Sequence, residues 1–211
     1  MKLYTYYRSS TAYRVRIALN LKGLPYEAIP IHLTKAGGGQ HAADYRALNP
    51  HGRVPSLVLD SGEVLTQSLA IVDYLEETHR EPPLLPADPV RRAKIRAFSQ
   101  VIACDIHPVN NLITLQYLRR VLKHEQPEID AWYHHWILEA FKVLEATMMP
   151  GPYAFGGAVT LADVCLVPQM YNARRLQVPL DAFPKLVAVD AACLKLPAFD
   201  KARPENQPDA E

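Results

Sequence analysis

Four prolines fall within ten residues in Arg80-Glu-Pro-Pro-Leu-Leu-Pro-Ala-Asp-Pro89. Each proline removes a backbone donor and restricts the residue before it, so no helix or strand runs through such a segment. The chain must divide there, and its hydrophobic periodicity changes across the break. Residues 2–6 alternate as a short strand. Residues from 11 or 12 to 22 repeat as a helix, with Val15, Ala18, Leu19 and Leu21 inward and Gly23 placed as its C′ residue. A second strand follows at 26–31, the flexible run Gly37-Gly38-Gly39, a short helix at 44–48 and turn chemistry at Asn49-Pro50-His51-Gly52. A hairpin spans 56–59 and 64–66 around Ser61-Gly62, and a helix spans 67–78. The order βαβαββα predicts an α/β sandwich with a central sheet.

Beyond the break the pattern is helical throughout, with helices expected at 91–106, 112–124, 129–147, 161–175 and 186–195 and a Pro/Gly loop at 150–157. Pro108 is expected to kink or end the first of these. The polar, proline-containing tail from Arg203 is expected to fray. The predicted domains are 1–80, a linker at 81–89, and an all-helical 90–211.

Composition narrows the function. With a net charge of +1, nothing in the overall balance points to nucleic acid or an anionic membrane. No run approaches the ~18 apolar residues of a spanning helix, and the start of the chain lacks the apolar core of a secretory signal, so a cytoplasmic location is expected. Cys104, Cys165 and Cys193 are far apart and form no CxxC, which argues against a disulfide framework, a redox pair or a zinc site. His134-His135 has no partners at ligand spacing, so no metal is expected.

The most informative motif is Arg8-Ser9-Ser10-Thr11-Ala12-Tyr13, at a strand-to-helix junction. Backbone N–H groups point outward there and the helix dipole is positive, so an anion is stabilised, with a cation standing just before it. Other positions carry two readings each. Val54-Pro55 is either an ordinary strand start or a cis peptide exposing the Val54 backbone to a peptide-like ligand. Ser68 of Gln67-Ser68 either caps a helix or helps form a second anion site. His107-Pro-Val-Asn110-Asn111 is structural or a polar lining. Arg174-Arg175 offsets a helix dipole or turns one guanidinium into a carboxylate clamp. Thr160-Leu-Ala-Asp163 is a capping box, stapled by Val159 and Val164, and is structural.

Together these pieces resemble a glutathione transferase. The zeta class is the closest likeness, on Arg8-Ser9-Ser10, Arg14-Val-Arg-Ile-Ala-Leu19, Leu48-Asn-Pro50, Val54-Pro55, Gln67-Ser-Leu-Ala-Ile71, Asp73-Tyr-Leu-Glu-Glu77, Leu84-Leu-Pro86, Leu161-Ala-Asp163 and Leu166-Val-Pro-Gln169. The resemblance spans nearly the whole chain. It implies a thioredoxin-like first domain without redox cysteines, an all-α second domain, glutathione as cofactor and a homodimer. It also implies cis–trans isomerisation of maleylacetoacetate or maleylpyruvate, small diketo dicarboxylates, in aromatic catabolism. Thr11 stands where the class carries a cysteine. That substitution and Cys104-Asp-Ile-His-Pro-Val-Asn-Asn111 look closer to the maleylpyruvate branch, although Leu112 replaces a cation expected there.

By the same resemblance Ser9, Ser10 and Thr11 would face the thiol, Ser9 foremost. Val54 and Pro55 would pair with the cysteinyl backbone, Gln67 and Ser68 with the γ-glutamyl carboxylate, and His41 or Lys35 with the glycyl carboxylate. His107 and Asn110 would contact glutathione or substrate. Arg8 and Arg175 would bind the substrate's carboxylates. Two other readings compete: a general transferase conjugating electrophiles or α-haloacids, and a non-catalytic binding module of the same fold.

Overall fold

In the computed structural model the described residues are 1–211, the side chain of Ala36 excepted. The chain packs as two compact units. Met1–Pro83 and Lys195–Glu211 form the first, and Leu84–Leu194 the second.

The first unit holds β1 (Lys2–Thr5), α1 (Ser10–Leu21), β2 (Glu27–Pro30), α2 (Ala43–Leu48), β3 (Ser56–Val58), β4 (Val64–Thr66) and α3 (Ser68–Thr78). The sheet order is β2-β1-β3-β4. β1 runs parallel to β2 (Lys2 opposite Glu27) and antiparallel to β3 (Tyr4 opposite Ser56), and β3–β4 is the expected hairpin. The period of two divides β1 cleanly. Leu3 and Thr5 are fully buried on one face, and Thr5 accepts from Arg16 of α1 there. Tyr4 is on the other face, against Tyr45 of α2 at 5.7 Å between ring centroids. Helix α1 is buried on nearly every side, including two arginines, and packs against α3. At its C-terminal end Lys22, whose ammonium is enclosed, bonds Glu76 of α3 at 2.8 Å and the carbonyls of His79 and Pro82. Gly23 takes φ +64, the left-handed residue that ends the helix.

The second unit begins with α4 (Pro89–Gln100), which continues through a π-helical turn (Val101–Ile106) into α5 (His107–Asn110). Pro108 therefore does not break the helix where expected. Having no N–H, it makes no claim on the carbonyl four residues back, and the wider turn before it, closed by His107 N–H to Ile102 O, accommodates the ring. Then follow α6 (Leu112–Arg120), α7 (Gln126–Thr147), α8 (Leu161–Arg175) and α9 (Pro184–Cys193). The capping box forms as expected: Thr160 N–H donates to Asp163 Oδ2 at 2.7 Å, and Ala154 N–H adds a bond to Oδ1 at 2.8 Å. Burial pushes the Asp163 carboxyl above the usual carboxylate range, and these bonds offset only part of that rise. No described helix is long and apolar enough to cross a membrane.

The C-terminal residues depart from expectation. They form α10 (Pro197–Ala202), which packs on α1, and residues 195–211 belong to the first unit rather than to the helical half. The tail from Arg203 is docked, not frayed. Pro204 and Gln207 are buried, and Gln207 Nε2 donates to the carbonyls of Lys201 and Arg203. The physical reason lies in Arg16, a fully buried guanidinium. It donates to Ala202 O (3.0 Å), Thr5 Oγ1 (3.0 Å), Tyr6 O (3.3 Å) and Tyr7 O (3.0 Å), so the end of the chain satisfies part of a cation in the core of its beginning.

Arg16→Ala withdraws a donor from four acceptors, of which Tyr6 O keeps the Ser9 N–H, and opens a cavity. Its stability in urea denaturation is expected to fall by ~3 kcal/mol or more.

Candidate active site

The residues between β1 and α1 form a turn whose backbone is tied at Tyr6, Tyr7 and Ser9. Ser9 N–H donates to Tyr6 O at 3.0 Å, Arg16 grips Tyr6 O and Tyr7 O from within, and Tyr7 N–H donates to Asp209 Oδ2 at 3.0 Å. The turn delivers Ser9 as the N-cap of α1, and its Oγ accepts from Ala12 N–H at 3.2 Å. Ser9 Oγ also lies 2.9 Å from Thr11 Oγ1, which donates to Val54 O at 3.0 Å. A hydroxyl has one proton. Thr11 directs its proton to Val54, so Ser9 directs its own to Thr11. The relay runs from Ala12 N–H through Ser9 and Thr11 to the Val54 carbonyl. Ser9 and Thr11 remain half-buried, whereas Ser10 is buried. Beside them Arg8 lies over the Tyr7 ring, 4.9 Å from its centroid, with Nη2 donating to the Tyr6 hydroxyl at 3.3 Å.

Val54-Pro55 is cis. The segment is held from behind. The Tyr45 hydroxyl donates to Arg53 O at 2.6 Å, Asn49 Nδ2 donates to the same carbonyl at 2.8 Å, and both reach Ser56 Oγ. Tyr6, Tyr7, Tyr45 and Val54 form one buried cluster, so the Val54 edge and the Arg8–Ser9 turn share a base.

Ser68 does not cap α3. The N-cap is Gln67, with φ +66 and no side-chain cap bond, a left-handed conformation unusual for a residue with a Cβ. Ser68 is the first helical residue. It is buried, and its Oγ accepts from Arg14 Nη1 at 3.4 Å. Arg14, itself 1 % exposed, places a cation behind a helix N-terminus, which favours an anion in front of it. Reading the sequence for function missed Arg14; its signal was a charge at an inward-facing helical position. His41 is not joined to these groups. It is exposed, with its ring 3.2 Å from Gln40 Nε2. Lys35, the alternative, pairs with Glu211.

The remaining candidates belong to the helical unit. Asn110 is buried, and its Nδ2 donates to Tyr133 O at 3.1 Å. Asn111 is structural: its Oδ1 caps α6 by accepting from Ile113 and Thr114 N–H. His107 opens α5 and is half-buried. Arg174 is committed to the buried Asp190. Arg175 is exposed and makes no ion pair among the described residues. It exerts an electrostatic pull on Tyr133, whose hydroxyl burial pushes up to about 12, so that group stays protonated at physiological pH. Tyr133 is a further residue the sequence did not flag. No group of three or more His, Cys, Asp or Glu among the described residues could hold a metal, and His134 instead meets Leu176 O at 2.7 Å.

Residues 3–83 match the family model of the glutathione S-transferase N-terminal domain. A maleylacetoacetate isomerase of Pseudomonas aeruginosa is 47% identical over 99% of this chain and 98% of its own. The holo structure of a bacterial maleylpyruvate isomerase of the zeta class superposes with a TM-score of 0.96 and 46% identity, covering 100% of both chains. A maleylacetoacetate isomerase of Methylobacterium extorquens, with malonate and glutathione bound, gives a TM-score of 0.95 at 37% identity, again covering 100% of both chains.

Because the Ser9 hydroxyl caps α1, Ser9→Ala is expected to cost ~1 kcal/mol in chemical denaturation. Thr11→Val, which leaves the cap in place, should cost less.

Proposed function

The chain belongs to the glutathione S-transferase family, in its zeta class, and on that footing we propose that it is a glutathione-dependent cis–trans isomerase of maleylpyruvate or maleylacetoacetate, forming the fumaryl product. The observation that carries this reading is the pairing, in one turn, of a half-buried Ser9–Thr11 hydroxyl couple with Arg8 stacked on Tyr7. The first is a donor set for a sulfur anion, and the second a donor set for a carboxylate. The related structure that holds both glutathione and malonate, a dicarboxylate, is consistent with it.

The residues present fit glutathione. They offer a helix N-terminus backed by Arg14 for one carboxylate, a cis-proline edge at Val54 for a peptide, and hydroxyls where a thiol would lie. None of the three cysteines lies in the first unit, so the sulfur comes with the cofactor. Bound glutathione supplies a nucleophile whose reversible addition turns a cis double bond into a single bond free to rotate.

The chain's own residues do the rest. Ser9 rotates one hydroxyl from Thr11 towards the sulfur and stabilises its anion. A free thiol with pKa ~8.5 is mostly protonated at neutral pH, so this hydrogen bond and the α1 dipole raise the reactive fraction. Thr11, tied to Val54 O, keeps Ser9 within reach. Ser68 N–H and Gln67 receive the γ-glutamyl carboxylate, and His41 the glycyl one. Arg8 binds a substrate carboxylate through its remaining donors, and planar guanidinium suits that geometry. Arg175 is assigned to the second carboxylate. His107, Asn110 and the Tyr133 hydroxyl are assigned as polar contacts from the helical unit. We also assign a cytoplasmic homodimer, which light scattering of the purified chain would check.

The test is a paired assay of both substrates with and without glutathione. Turnover is expected only with the thiol present, and the higher kcat/KM identifies the pathway. Ser9→Ala should lower kcat about 100-fold with little change in glutathione affinity. Arg8→Ala and Arg175→Ala should each raise the KM for the dicarboxylate roughly 10- to 100-fold. Turnover without glutathione would refute the reading.

A further inference from the structure

The C-terminal tail reaches the same turn from outside. Asp209 Oδ2 accepts the Tyr7 N–H at 3.0 Å across 202 positions of sequence. Two residues on, Glu211 pairs with Lys35 and, at 3.2 Å, with His32, whose ring meets Tyr6 edge-on at 5.0 Å. The other Asp209 oxygen, Oδ1, is buried with no hydrogen-bond partner among the described residues. Enclosing an unpaired carboxylate oxygen costs stability. Docking of the tail gains nothing from that oxygen, because Gln207, Pro204 and the Arg16–Ala202 bond already hold the segment.

What Asp209 does reach is the Tyr6–Tyr7 peptide, the one that leads into the Tyr7–Arg8 pair. Arg16 fixes the carbonyls of Tyr6 and Tyr7 from the core, and Ser9 N–H closes the turn onto Tyr6 O. The Tyr7 N–H is the group on the outer side, and Asp209 satisfies it. The Tyr7 ring is the platform on which Arg8 lies, and the Tyr6 hydroxyl accepts a hydrogen bond from Arg8 Nη2. A rotation of the Tyr7 backbone would carry the platform and the guanidinium with it.

We propose that Asp209 is a positioning residue for the isomerase: by accepting the Tyr7 N–H it fixes the Tyr7–Arg8 pair so that Arg8 meets the dianionic substrate in one orientation. This rests on the assignment of Arg8 to a substrate carboxylate. Positioning needs the acceptor and not the charge, which acts on a dianion only by repelling it. Asn at 209 would present the same acceptor without the repulsion.

The experiment compares Asp209→Ala, Asp209→Asn and, as a control on the same tail, the exposed Glu205→Gln, all in the full chain. Steady-state kinetics with glutathione and the dicarboxylate are read beside hydrogen exchange of the Tyr7 amide. Asp209→Ala is expected to raise the KM for the dicarboxylate ~3- to 30-fold, the worth of one such hydrogen bond, and to leave the KM for glutathione within about 2-fold. It should also remove protection at the Tyr7 amide. Asp209→Asn should restore both, with a KM for the dicarboxylate at or below that of the wild type. An Asp209→Ala protein with unchanged KM, an Asn variant as impaired as the Ala variant, or parallel loss of both KM values would each overturn the proposal. A wild-type chain that isomerises neither substrate would remove the functional reading and this proposal with it. An active wild type with unaffected Asp209→Ala removes this proposal alone.

Discussion

The first unit is organised around a buried positive charge. Arg16 has no exposed surface, and the hydrogen bonds that satisfy it come from β1, from the turn after β1 and from the end of α10. An unsatisfied guanidinium in a packed core costs several kcal/mol, so these segments are obliged to converge on it. That convergence sets the path of Tyr6 and Tyr7, and through them the position of Arg8 and the start of α1. Arg14, two residues earlier, uses its own buried charge in a different way, by standing behind Ser68 at the start of α3. Two arginines on one helix thus hold the turn that leads into α1 and the first residue of α3.

Ser9 combines two functions that draw on the same lone pairs and proton. As N-cap it accepts from Ala12, and this leaves its single proton to be directed elsewhere. Thr11 is the partner in this structure, itself fixed by the Val54 carbonyl. A hydroxyl whose oxygen is held by a cap bond can turn its proton to another acceptor without any backbone movement. Preorganisation of this kind gives a donor its leverage in stabilising developing charge.

Much of the architecture was legible because it is encoded locally. The strand alternation, the hairpin turn, the α8 helix from Leu161 to Arg175 and its Thr160/Asp163 box are all written in residues a few positions apart. What escaped depends on distant partners. Helix α10 has six residues and only Phe199 and Ala202 buried, so it carries no periodic signature; it exists because α1 is there to pack against. The tail reads as polar and solvated, yet its contacts are largely backbone and acceptor groups that composition does not register. Ser68 read either as a cap or as part of an anion site, and the cap reading fails because Gln67 takes the N-cap position and leaves Ser68 inside the helix. Of the site, the Arg8–Thr11 motif and the Val54-Pro55 edge came from sequence. Their coupling through Thr11, and the buried charges behind them, came only from three dimensions.

The division of the chain also bears on the order in which it can fold during synthesis. The helical unit, Leu84–Leu194, is one uninterrupted stretch, whereas the sheet-bearing unit needs residues on both sides of it. A ribosome delivers residues in order, at roughly 5–20 per second, and domains fold as units once their chain is available. The sheet and α1 therefore emerge first and wait, with the Ala202 acceptor of Arg16 still unsynthesised, while the whole of the helical unit is made. During that interval, on the order of ten seconds at such rates, the nascent chain carries an incompletely satisfied cation in its forming core. The half that appears first is therefore the half that is finished last.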